Sequence, residues 1–215
     1  MKRTNVPKKE LYLLEDSMKN KVLEQLFKHP DVEYSLTDLA KEAGVSKSNI
    51  GGLLDRFYEA GIITITRLTK IWRIRANQES WYFTTSKIVF NLSYIYQTGL
   101  VEFINTLYNN PRAIVLFGSF RWGTDVSGSD IDLAVEVDED VPDGYQTVSL
   151  KQVVAKKKTD LDFISQIEEG VDRNIQVHVF SKKFKREMDT NVFHGIVNGI
   201  VLGGFLEITN EQAKN

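Results

Sequence analysis

The stretch from Ala113 to Val135, AIVLFGSFRWGTDVSGSDIDLAV, decides how this chain is read. Ile114 to Phe117 is an apolar run that reads as a buried strand, and Gly118-Ser119 breaks it. After a Gly-, Ser- and Asp-rich connection a second strand starts at Ser129-Asp130-Ile131-Asp132-Leu133. Strand side chains alternate faces, so Asp130 and Asp132 point one way while Ile131 and Leu133 enter the core. Two such carboxylates repel each other unless a cation lies between them, and Mg²⁺ is commonly held by one or two carboxylates plus substrate phosphate oxygens. Gly118 allows close approach of backbone to a phosphate, and Ser119 offers it a hydroxyl and an amide hydrogen. A helix beginning just after Gly118 would aim further amide hydrogens at the same anion. The stretch therefore has the makings of a metal and phosphate site.

Phe117-Gly118-Ser119, ten intervening residues and then Asp130-Ile131-Asp132-Leu133 resemble the signature of the DNA polymerase beta-like nucleotidyltransferase superfamily, close to its minimal prokaryotic members. The pattern joins a glycine, a small hydroxyl residue, a spacing and an acid-hydrophobic-acid triplet, and the resemblance covers the chain from about residue 111 onward. It implies transfer of a nucleoside monophosphate from an NTP to an acceptor hydroxyl. By the same resemblance, Gly118 and Ser119 hold the triphosphate, and Asp130 and Asp132 ligate two Mg²⁺ ions that clamp the attacking and leaving oxygens. The acceptor would be a protein or a nucleic acid.

One departure from the family pattern bears on activity. Relatives add a third acid from a later strand, but here that strand reads Asn174-Ile175-Gln176-Val177-His178-Val179-Phe180. Gln176 stands where the third carboxylate is expected, with His178 on the same face two residues on. A Gln carbonyl or a neutral imidazole is a poorer Mg²⁺ ligand than Asp, although His178 could accept a proton. Asp160 and Asp162 are candidate substitutes, yet Thr159 to Ile164 reads as a capped helix start. Arg121 lies two residues past Ser119, placed to neutralise phosphate charge, whereas relatives carry an arginine one position later, at Trp122 here. Nucleotide binding is thus expected ahead of turnover.

The N-terminal half has its own pattern. Apolar residues at helical spacing from Ser17 to Lys28 predict one helix, Ser35 to Gly44 a second, and Ser46 an N-cap for a third that runs to about Ala60. Ile62 to Thr66 and Ile71 to Arg75 alternate like strands, joined by Arg67-Leu68-Thr69-Lys70. Three helices and a β-hairpin resemble the winged helix-turn-helix domain of prokaryotic transcription regulators. That resemblance implies double-stranded DNA as partner, with the third helix entering the major groove by its N-terminal end. Lys47, Ser48 and Asn49 are then the candidate base or phosphate contacts, and Arg67, Lys70, Arg73 and Arg75 the wing contacts. Gly51-Gly52 within that helix costs about 1 kcal/mol per glycine in propensity, and close approach to DNA or a partner is one reason to keep it.

Residues 1–80 carry 14 Lys or Arg against 11 Asp or Glu, about +3, which leaves about −5 for the remainder of a chain of net charge −2. Residues 79–109 form a dense apolar and aromatic stretch around Trp81, Phe90, Tyr94 and Phe103. It reads as core, with a homodimer or interdomain face and base stacking as alternatives. Past Val135, Glu136 to Asp140 reads as a solvated acidic loop, Pro142-Asp143-Gly144 as a turn, and Lys151 and Lys156 to Lys158 as solvated surface. The C-terminal Phe193 to Gly204 reads as a helix end and a last small strand.

The composition, 42% hydrophobic with a mean hydropathy of −0.25, is that of a soluble globular protein. The absence of cysteine excludes disulfides and thiolate metal sites. Without a signal-like or membrane-length apolar run, a cytoplasmic protein with no membrane partner is expected. The expected fold class is α+β: a winged helix-turn-helix domain over 1–80, a helical connector over 81–110, and a nucleotidyltransferase-like domain with a mixed sheet over 111–215. Two functions follow. One is a Mg²⁺-dependent nucleotidyltransferase with an attached DNA-binding winged helix. The other is a DNA-binding transcriptional regulator whose catalytically degenerate transferase domain senses nucleotide or only scaffolds.

Overall fold

The computed structural model describes residues 17–68, 71–138, 141, 144–181 and 190–207. Two compact units divide at Thr98/Gly99, inside the stretch read above as a connector.

The N-terminal unit contains α1 (Met18–Lys28), α2 (Leu36–Glu42), α3 (Lys47–Glu59), β1 (Ile63–Leu68), β2 (Ile71–Ala76) and α4 (Trp81–Gln97). Side-chain caps start three of its helices: Ser17, Ser35 and Ser80 accept from the amides of Asn20, Asp38 and Phe83. Ser46 precedes α3 without such a bond, its hydroxyl lying 2.8 Å from that of Ser48. Gly44 and Gly61, both at positive φ, turn the chain out of α2 and α3. Ile63 to Leu68 pairs antiparallel with Ile71 to Ala76, so the first strand runs two residues further than its alternation indicated. Tyr34 adds a bridge to Ile74, with backbone bonds of 2.8 Å in both directions.

Val22 and Leu26 are buried at positions that helical spacing predicted, Leu39, Ile50, Leu54 and Phe57 of α2 and α3 are buried with them, and Phe27 closes against Phe83 and Phe90 at 5.3 and 5.4 Å. The reading of residues 79–109 as core needs correction on one side of α4. Phe83, Phe90, Tyr94 and Ile95 are buried there, but Trp81, Tyr82, Val89 and Tyr96 are exposed. The buried face of α4 also takes in Lys87 and Asn91, so the buried side is set by which face packs against its unit rather than by apolar content alone.

The C-terminal unit contains α5 (Leu100–Leu107), β3 (Ala113–Phe117), α6 (Gly118–Trp122), β4 (Asp130–Val137), β5 (Tyr145–Ser149), α7 (Leu150–Lys157), α8 (Leu161–Val171), β6 (Asn174–Ser181), α9 (Thr190–Val197) and β7 (Ile200–Gly204). Its five strands form one mixed sheet in the order β5-β6-β4-β3-β7, parallel only between β4 and β6. With the two-stranded hairpin of the other unit, the fold is mixed α+β. Ala113, Val115, Phe117, Ala134 and Phe180 form a core on one sheet face with Ile196 of α9. Gly199 lies so close to this sheet that a Cβ there would meet Val115 at 2.4 Å. On the other face Ile114 approaches Val101 of α5 across Gly203, and Phe103 of α5 stacks on Phe163 of α8 at 5.0 Å.

Several readings of this half change. Glu136 is no part of a solvated loop: it ends the inward face of β4 with no exposure, 3.6 Å from Arg112. Lys156, Lys157 and Lys158 are exposed as read, and Lys157 donates to the Leu107 carbonyl at 2.6 Å, while the 40% exposed Lys151 pairs with the buried Glu168 at 2.6 Å. The strand over Tyr145–Ser149 carried no alternation strong enough to be read. Glu139, Asp140, Pro142 and Asp143 lie outside the described residues.

Candidate functional site

The site is built where β3 ends and β4 begins. Antiparallel pairing sets Phe117 opposite Asp132, which brings the Gly118 backbone beside that carboxylate. Gly118 has φ +72°, and a Cβ on it would lie 2.2 Å from Asp132 Oδ2. Glycine is thus required twice, for its backbone angle and for the space it leaves. Gly118 and Ser119 open α6, a single turn that Gly123 ends at φ +68°.

The connection to β4 is held at both ends. Ser129 accepts from the Val126 amide at 2.9 Å and donates its own amide to the Val126 carbonyl at 3.0 Å. Asp125 accepts from Nε and Nη2 of Arg173 at 3.3 and 3.2 Å, with exposures of only 2% and 1%. Arg173 also donates to the Val171 and Asp172 carbonyls, which binds this loop to the turn between α8 and β6. A buried charge pair so supplied with hydrogen bonds fixes where Asp130 leaves the loop. The sequence reading did not register Asp125 or Arg173. The isolated acid in the loop was the available signal, but its partner is 48 residues away.

The parallel pairing of β4 with β6 sets Asp130 beside Asn174, Asp132 beside Gln176 and Ala134 beside His178. Registered partners share a sheet face, so Gln176 and His178 lie on the face of the two carboxylates. His178 Nε2 lies 3.4 Å from Asp132 Oδ1. Its Nδ1 lies 2.6 Å from the Tyr145 hydroxyl and 3.2 Å from that of Thr147. Phe117 meets the imidazole edge-on at 4.8 Å. Asp160 caps α8 by accepting from the Phe163 amide at 3.2 Å, which leaves it a structural task. Among the described residues no group of three or more His, Cys, Asp or Glu could hold a metal ion. The pair Asp130 and Asp132 offers hard oxygen donors facing a glycine-lined gap, and this donor set fits one Mg²⁺ completed by phosphate oxygens.

Arg121 packs against its neighbour in α6. Its guanidinium lies 3.3 Å over the Trp122 ring, and its Nε is buried with no hydrogen-bond partner among the described residues. Trp122 is half exposed.

These features agree with a comparison of the sequence with known families. Residues 98–198 match the nucleotidyltransferase domain family. The match supports the nucleotidyltransferase superfamily for this part of the chain, and with it nucleotidyl transfer as the general activity. It begins at the unit boundary, so the nucleotidyltransferase-like unit includes α5 as well as the sheet. No curated protein matches the chain. Among solved structures, the heme sensor protein PefR from Streptococcus agalactiae in complex with heme aligns with 47% of this chain and 76% of its own, at 18% identity and a TM-score of 0.32. A likeness that low supports no statement about this chain.

In the N-terminal unit, Lys47, Ser48 and Asn49 are exposed at the start of α3. Arg73 and Arg75, exposed on β2, both reach Glu33, at 3.3 and 2.7 Å. Arg67 reaches Asp55 at 2.6 Å and covers Trp72 at 4.4 Å. Lys70 lies outside the described residues. The acids that accompany these arginines went unread, because Glu33 and Asp55 are distant in sequence and ordinary in context. Among the described residues no helix is long and apolar enough to cross a membrane.

Proposed function

We propose that the C-terminal unit is a Mg²⁺-dependent nucleotidyltransferase, carried with a winged helix-turn-helix that binds duplex DNA. The observation that carries the first part is the apposition of Gly118 and Asp132, with Asp130 on the same strand face. Asp130 and Asp132 would hold Mg²⁺, which when bound offsets the charge of the triphosphate and polarises its α-phosphorus. Ser119 and the Gly118 backbone bind phosphate oxygens, and Arg121 Nε supplies one further donor. An acceptor hydroxyl oxygen bonds to the α-phosphorus, the bond to the bridging oxygen breaks, and pyrophosphate leaves; the hydroxyl proton passes to solvent.

Calorimetric titration of ATP and the other NTPs, with and without Mg²⁺, tests the cradle without assuming an acceptor. Wild type is expected to bind with Mg²⁺ only, and Asp130→Asn/Asp132→Asn not at all; Mg²⁺-independent binding would refute the reading. Transfer itself is then sought with α-labelled NTPs.

Three helices followed by an antiparallel hairpin support the winged-helix reading, and the exposed α3 start supports DNA contact. Exposed ion pairs such as Arg67 with Asp55 are worth about 0–1 kcal/mol, so a phosphate can replace the acid. Binding should weaken steeply with salt and be lost in Lys47→Ala/Arg73→Ala; no binding at low salt would sink this part.

Gln176 favours a second reading, a DNA-binding regulator whose transferase site no longer turns over. Its registered place beside Asp132 is where a third carboxylate would complete the site. Transfer that appears only in Gln176→Asp would decide for the regulator.

A further inference from the structure

The Tyr145, His178 and Asp132 side chains form a polar chain that neither catalytic reading uses. His178 is 9% exposed, and its ring is fixed by Phe117 on one edge and two hydroxyls on another. An ionised carboxylate can only accept, so a bond between Nε2 and Asp132 Oδ1 requires the proton on Nε2. A neutral imidazole then leaves Nδ1 as an acceptor, which suits the Tyr145 hydroxyl at 2.6 Å. Thr147 in turn donates to the Tyr145 oxygen at 3.0 Å. In that tautomer Thr147, Tyr145 and His178 each donate in the direction of the Asp132 carboxylate, which accepts.

We infer that His178 is a positioning residue that turns the Asp132 carboxylate, and that the site accordingly takes a single divalent cation rather than a pair. The inference rests on the Mg²⁺ site proposed above. With Oδ1 engaged by His178, Oδ2 faces Gly118, the side from which a cation and a phosphate approach. With Nε2 turned toward Asp132 Oδ1 and Nδ1 toward the Tyr145 and Thr147 hydroxyls, His178 is placed to orient the carboxylate rather than to ligate the metal itself. Without substrate phosphate, two divalent ions about 3.5–4 Å apart need more negative charge than two carboxylates supply, one of them half used. Gln176 adds none, and among the described residues no third acid, His or Cys completes a cluster. Second-shell donors of this kind commonly change metal affinity about 10–100-fold.

The test is a titration of the full chain with Mn²⁺ alone, followed by loss of the free-ion electron paramagnetic resonance signal. One Mn²⁺ per chain is expected in wild type, about 10–100-fold weaker binding in His178→Ala, and retention within a few-fold in His178→Gln, whose amide still donates. His178→Asp is expected to admit a second ion. Nitrogen NMR supplies a readout that a merely structural role would not move: Nε2 protonated and Nδ1 bare in wild type, and a mixture of tautomers in Tyr145→Phe. Two Mn²⁺ in wild type, or unchanged affinity in both His178→Ala and His178→Gln with the Nδ1–H tautomer present, overturns the inference while the Mg²⁺ reading stands. No bound Mn²⁺ together with no Mg²⁺-dependent NTP binding overturns both.

Discussion

At the scale of single residues, two positions carry clear expectations. Gly118→Ala forces a methyl into the space of Asp132 Oδ2 and places a Cβ at a φ that L-residues resist. The backbone part costs about 1–2 kcal/mol, whereas displacement of the carboxylate removes the metal site. Expected is a folded protein of slightly lower melting temperature that has lost Mg²⁺-dependent NTP binding; retained binding would show that Asp132 Oδ2 does not face the cation. The second residue is Tyr108, whose hydroxyl is buried without a hydrogen-bond partner among the described residues and whose pKa burial pushes up from 10.0 to about 12. The unfolded phenol ionises first, so between pH 10 and about 12 the folded state holds the extra proton and stability falls as pH rises. The loss is on the order of 2 kcal/mol. Tyr108→Phe should match or exceed wild type at neutral pH and escape part of that alkaline loss, as read by urea denaturation at a series of pH values.

At the scale of elements, the hairpin and the site loop make separate demands. Arg73 and Arg75 both face Glu33, so Glu33→Gln leaves two guanidinium groups for phosphate. DNA affinity is expected to rise several-fold with a steeper salt dependence; unchanged affinity would place the DNA elsewhere or nowhere. In the other unit, Asp125→Ala strands Arg173 in the interior, and removing one member of a buried pair costs about 3–5 kcal/mol. The expected result is a large drop in thermal stability together with weaker Mn²⁺ binding, since Asp130 follows the anchored loop. Stability equal to wild type would mean that water enters to solvate Arg173. These elements also mark how far local sequence reaches. Helices α1, α2 and α8 were legible from apolar spacing, the glycine after α2 and the capped start at Asp160, signals contained within a few residues, and Ser17 and Ser35 prove to cap the first two. The strand Tyr145–Ser149 was not, because its side chains are half exposed on a sheet edge and give no alternation. Glu136 was misread for the opposite reason: its acidic neighbours suggested solvent, while its register on β4 puts it inside.

At the scale of the whole chain, two compact units imply a division of labour that amide exchange can read. Mg²⁺ with a non-hydrolysable ATP analogue should slow exchange around Gly118–Trp122 and Asp130–Leu133. Duplex DNA should slow it in Lys47–Glu59 and along the hairpin. Protection by both ligands in one unit only would remove the case for two separate functions.

The sequence alone determined most of the architecture, because the signals involved are local. Periodicity, caps and turn residues act over a few positions, and Gly118, Ser119, Asp130 and Asp132 lie within fifteen residues of one another. It also put Gln176 and His178 on one face of their strand, while the β4–β6 register sets that face beside the carboxylates. What only the tertiary structure decided are the partners: Arg173 for Asp125, Glu33 for Arg73 and Arg75, Glu168 for Lys151, and Tyr145 with Asp132 for His178. Each joins residues on different elements, and the geometry of a hydrogen bond or ion pair between them is set by strand register and helix docking, which no local pattern encodes.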